Sequence, residues 1–145
     1  MYSFLLQDWV TIRGASSVAT VIQSEDCWLD LTSFQDVVAW LDVKNVTTSG
    51  ASILLAYQSA ATKDESLFLA ITSALSVAGT GLTVTPMIKD LTSTPLARWL
   101  RWRLSISGSP TATWDVTFRI FVAANTLGNN RSGATGAPLI ARLFT

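Results

Sequence analysis

The stretch Ala112-Thr113-Trp114-Asp115-Val116-Thr117-Phe118-Arg119-Ile120-Phe121-Val122 decides the fold class of this chain. Ala112, Trp114, Val116, Phe118, Ile120 and Val122 alternate with Thr113, Asp115, Thr117 and Arg119. Successive side chains of a strand point to opposite faces, so a period of two describes a strand with one dry face and one wet face. Residues 98–107 repeat the pattern. Leu100, Trp102, Leu104 and Ile106 form one side, and Trp99, Arg101, Arg103 and Ser105 form the other. Gly108-Ser109-Pro110 between the two runs reads as a turn, which predicts an antiparallel hairpin with Trp102 and Trp114 facing one core.

Upstream, Val37, Ala39, Leu41 and Val43 share one side of a further run, with Val38 and Trp40 on the other. That strand reads as covered on both faces. Its β-branched and aromatic content favours a strand over a helix beginning near Asp30. Thr47-Thr48-Ser49-Gly50 is expected to turn the chain into a strand over residues 52–59. Residues 4–12 and 18–23 read as the opening strands, separated by Gly14-Ala15-Ser16-Ser17. Residues 28–34 read as an irregular crossing or a single helical turn, with Thr32 or Ser33 as its cap. Residues 67–71 and 82–87 add short strands, with Pro86 at an edge where a missing N–H is tolerated.

Strands at this spacing, without helix-length segments between them, predict an all-β fold: an antiparallel β-sandwich, jelly-roll-like, with a closed barrel as second choice. Residues 1–124 form the sandwich domain in this reading. Residues 125–145 form a glycine-rich loop and a C-terminal arm or edge strand. Leu139-Ile140-Ala141-Arg142-Leu143-Phe144 can close the chain's own sheet or extend a neighbouring subunit's.

Charged residues make up only 14% of the 145, where roughly a quarter is typical, so the surface suits close neighbours better than bulk water. Ten basic and ten acidic residues cancel, which argues against direct nucleic-acid contact, since phosphate binding needs clustered positive charge. Cys27 is the single cysteine; no internal disulfide can form, and its Trp28-Leu29 neighbours predict a small buried thiol. Neither a secretory leader nor a membrane-spanning apolar run is expected.

Histidine is absent, which removes Ser-His-Asp and Cys-His chemistry and the usual base near neutral pH. One cysteine with carboxylates is a poor supply for zinc, and neither Gly79-Thr80-Gly81 nor Gly133-Ala134-Thr135-Gly136 matches a nucleotide loop. No cofactor is expected. Among the carboxylates, Asp30 reads as a turn residue accepting backbone hydrogen bonds, Asp64 and Glu65 as loop solvation, and Asp115 as a cross-strand partner for an arginine such as Arg103. No enzyme is predicted. Trp9, Trp28, Trp40 and Trp99 are the tryptophans outside the clearest core faces; they serve packing, or, in the alternative reading, a carbohydrate-binding module.

Four segments taken together resemble small all-β virion structural proteins of tailed bacteriophages. They are Trp28-Leu29-Asp30-Leu31, residues 37–43, the polar loop within residues 57–68, and the aromatic-and-arginine strand within residues 96–108. The resemblance spans roughly residues 28–122 and excludes the glycine-rich end. It implies a capsid, decoration, neck or tail component that resides in the virion and contacts other copies and other virion proteins. Candidate interface residues in that reading are Trp99, Arg101, Arg103, Arg131, Leu139, Arg142 and Phe144. Glycan is the partner under the alternative.

Overall fold

A computed structural model describes residues 1–15, 17–87, 94 and 96–126 of the chain. Among these described residues eight strands appear in the order β1 (Tyr2–Gly14), β2 (Val18–Ile22), β3 (Leu29–Asp30), β4 (Phe34–Ala60), β5 (Leu69–Ala70), β6 (Leu75–Ser76), β7 (Gly81–Met87) and β8 (Trp99–Thr126). Every strand pairing is antiparallel.

β4 and β8 form a long ribbon whose two halves belong to different layers. The first layer runs β1, then residues 113–126 of β8, then residues 34–49 of β4, then β7. The second runs β2 and β3, then residues 99–108 of β8, then residues 51–60 of β4, then β5 and β6. Among the described residues the first strand therefore lies beside the last, and the ribbon wraps around the core in the manner of a jelly roll. The fold is an antiparallel β-sandwich, as the alternation predicts.

One apolar cluster fills the interior and draws on both layers. Val37, Ala39, Leu41, Val116, Phe118, Ile120 and Val122 meet Ile53, Leu55, Tyr57, Leu100, Trp102, Leu104 and Ile106 there. The Trp102 and Phe118 rings pack edge to face with centroids 5.2 Å apart, and Trp114 lies in the same core. The shared environment expected for Trp102 and Trp114 is present.

The hairpin expected at Gly108-Ser109-Pro110 is not. Residues 99–108 and 113–126 lie end to end along β8, and each pairs with β4. The expected turn at residues 47–50 is likewise absorbed into β4. The register jumps from Ser49 opposite Thr113 to Ala51 opposite Gly108, leaving residues 109–112 as a bulge against Gly50. Two turn-like segments face one another, so the paired ribbon bends as a unit and neither strand reverses. Gly50 holds a left-handed φ of 69°, and a Cβ on Gly108 would strike the Gly50 carbonyl oxygen.

Two local expectations are also corrected. Residues 28–34 form the irregular crossing and not the helical turn: a 3-10 turn at Glu25–Cys27 precedes them, and β3 runs into a tight turn at Thr32 and Ser33, closed by the Phe34 amide donating to the Leu31 carbonyl at 3.0 Å. Asp30 supplies the cap in place of Thr32 or Ser33: its Oδ1 accepts the Thr32 amide at 3.0 Å and the Thr32 hydroxyl. Cys27 is exposed, because the Glu25–Cys27 turn buries none of its residues and Trp28 alone carries the packing inward. Among the described residues, no helix is long and apolar enough to cross a membrane.

Candidate interaction surfaces

The arginine-and-tryptophan segment of β8 lies on the outer side of the second layer, with the facing predicted from its alternation. Two short loops fold over it. Trp28 and Phe68 pack with Ala60 and Trp99 into a small outer cluster, the Trp28 and Phe68 rings meeting edge to face at 4.7 Å. Beneath them lies Arg101, its side chain only 4% exposed. Its Nε donates to Gln58 Oε1 at 3.0 Å and its Nη1 to Glu65 Oε2 at 3.3 Å. The guanidinium sits 3.9 Å from the Phe68 ring centre and 5.1 Å from that of Trp28. Burial lowers the Arg101 pKa, with the Glu65 charge opposing the shift. Arg101 is thus consumed within the chain, and Glu65 serves as its counterion as well as facing solvent.

Trp99 is half-buried, with Lys63 Nζ and the Arg98 guanidinium each 5.2 Å from its ring centre. Arg103, two positions beyond Arg101 on the same side of β8, is half-buried, and its Nε is buried without a hydrogen-bond partner. Trp99 and Arg103 remain reachable from outside. Arg131, Leu139, Arg142 and Phe144 lie outside the described residues.

The carboxylates resolve into structural roles. Asp30 caps its turn, as expected, and also receives Arg98 Nε at 3.2 Å and Nη2 at 2.9 Å. Arg98 first, then Thr32, hold the Asp30 carboxyl well below the usual carboxylate range. Asp64 accepts the Ser66 amide and hydroxyl, which lowers its pKa. Asp115 pairs with Arg13 at 3.0 Å and accepts from Asn45, not from Arg103, because Asp115 and Arg103 belong to different layers. No group of three or more His, Cys, Asp or Glu side chains is placed to hold a metal among the described residues.

The outer side of the first layer carries residues that sequence reading did not assemble. Leu5, Trp9, Leu82, Val84 and Phe121 are exposed there, and Trp40 is half-buried. Trp40 and Val38 are the side chains read as lying under a cover, and no element of the described chain stacks on that side. Arg119 lies over this face, 4.5 Å from the Trp9 ring centre and 4.6 Å from that of Phe121, while its Nε donates to Asp42 Oδ2 at 2.9 Å. Trp9 is the exposed indole of the set, with Lys44 Nζ 5.7 Å from its ring. A signal was available at Ile120-Phe121-Val122, where an aromatic breaks the polar side of an otherwise regular alternation.

No protein-family model matches the sequence, and no curated protein is significantly similar to it. The fold is similar to solved structures of infectious bursal disease virus. The Gt-strain structure aligns with a TM-score of 0.56 at 9% identity, over 88% of this chain and 32% of that one. The VP2 subviral particle gives 0.54 at 11% identity over 88% and 33%. The D431N VP2 protein in derived T=1 particles gives 0.54 at 11% over 88% and 32%. This chain spans about a third of the viral chains it matches. At these identities the likeness is one of fold.

Proposed function

We propose that this chain is a non-enzymatic structural protein of a virion, built into the particle through repeated contacts with other copies and with other virion proteins. One observation carries the reading: the fold aligns over 88% of this chain with VP2, the protein of a subviral particle and of derived T=1 particles. The charge-lean composition and the apolar side chains left outside the core support it, since assembly needs shape and apolar centres more than reactive groups. The bacteriophage version rests on the segments at residues 28–31, 37–43, 57–68 and 96–108.

Purified full-length chain should form rings, shells or filaments with rising concentration, seen by negative-stain microscopy and sedimentation. A chain that stays monomeric and turns over a substrate saturably would overturn the reading. The exposed Trp9 indole favours one second reading, a carbohydrate-binding module. Glycan binding abolished by Trp9→Ala, with assembly intact, would support that module; its absence from a broad glycan array would remove it.

A further inference from the structure

Four strands of the first layer place an apolar residue at the same height on the outward side. Leu5 pairs with Phe121, Phe121 with Trp40, and Trp40 with Val84, so the row crosses β1, β8, β4 and β7 without a break. Leu5 is 49% exposed, Phe121 38% and Val84 52%. Leu82 on β7 and Trp9 on β1, both exposed, widen the row into a patch. A solvated sheet face normally alternates to polar side chains. A contiguous apolar area of several hundred Å² is the size that marks an interaction site.

The charges around the row indicate what it meets. Arg119 is neutralised by Asp42 at 2.9 Å and Arg13 by Asp115 at 3.0 Å, each pair bridging β8 to a neighbouring strand. Lys44 lies against the Trp9 ring. A phosphate backbone or an acidic peptide would need several free cations, and one lysine does not supply them. A second copy of the same face brings no net repulsion and offers an identical apolar row, the condition for an isologous contact. The whole face is of a suitable size: four strands at ordinary spacing and rise cover on the order of 700 Å². Standard interfaces bury roughly 600–1,000 Å² per partner.

We propose that the outward face of the β1–β8–β4–β7 layer binds the same face of a second copy about a two-fold axis, with Leu5, Phe121, Trp40 and Val84 at its centre. This rests on the assembly reading and adds which surface makes the contact and what it meets.

Sedimentation equilibrium on the full chain tests it, comparing Val84→Lys and Leu5→Lys with Leu54→Lys and Leu69→Lys, which alter exposed apolar residues of the second layer. Near-UV circular dichroism checks each fold. The first pair should raise the dimer dissociation constant by about tenfold or more, and the second pair should leave it nearly unchanged. In the unmodified chain, hydroxyl-radical labelling of Trp40 and Phe121 should fall as the dimer forms. If labelling stays constant across that transition, or only Leu54→Lys and Leu69→Lys weaken association, the inference fails while the assembly reading stands. A chain that remains monomeric at every concentration overturns both.

Discussion

Arg101 and Asp30 are both ion-paired, yet water treats them differently. Glu65, the partner of Arg101, is 64% exposed, so its carboxylate loses little hydration. Glu65→Gln keeps an acceptor for Nη1 but leaves the buried guanidinium without its charge partner, and should cost about 1–2 kcal/mol in urea unfolding. Arg101→Ala also empties the space beneath Trp28 and Phe68 and strands Gln58 Oε1, and should cost about 3 kcal/mol. Equal losses would contradict this division. Asp30 has a folded pKa depressed below its ordinary 3.8, so its contribution is present above about pH 4 and is lost as pH falls below that. At 39% exposure screening keeps the contribution small. Asp30→Asn should make the acid limb of the stability curve shallower, and an unchanged limb below pH 4 would count against the assignment. Tyr57 is the reverse case, fully buried with its hydroxyl unpartnered. Tyr57→Phe should be neutral or stabilising, by up to about 1 kcal/mol in the same urea assay.

At the scale of elements, the decisive feature is the corner where β4 and β8 bend together. Alternation made the strand content of residues 37–46, 52–59, 98–107 and 112–122 legible, because it depends only on which side each residue faces. What joined those runs was not legible. Gly-Ser-Pro and Thr-Thr-Ser-Gly look like reversals when each is read alone, and their behaviour depends on lying opposite one another in the folded ribbon. The misplacement of Cys27 has a related cause, since two apolar neighbours say nothing about which way a 3-10 turn faces. The apolar row was the least visible feature, because it exists only once four strands from distant parts of the chain are in register. The corner gives its own prediction. Gly108→Ala places a methyl group against backbone that cannot move aside, and should cost about 2–3 kcal/mol. Gly50→Ala should cost about 1–2 kcal/mol from its left-handed backbone alone. Thermal unfolding of the two variants would check the order.

For the whole molecule, the two central strands of each layer, β4 and β8, run on into the other, so neither layer can keep its centre if the other is lost. Unfolding should be a single transition, with tryptophan fluorescence and far-UV circular dichroism coinciding; separated transitions would show that the corner uncouples the layers. Candidate site and fold were unequally readable at this scale: the arginines of residues 98–103 stood out in sequence, and folding covered one of them from outside with Trp28 and Phe68. The pairing of Tyr2 with Ala124 carries a further consequence for synthesis. β1 finds its hydrogen-bonding partner only in a segment translated more than a hundred residues later. At about 5–20 residues per second β1 waits roughly 6–24 s with its edge unmet. Folding must therefore be completed after that segment leaves the ribosome, and chains stalled at residue 110 should be digested by protease where chains extended well past residue 126 resist.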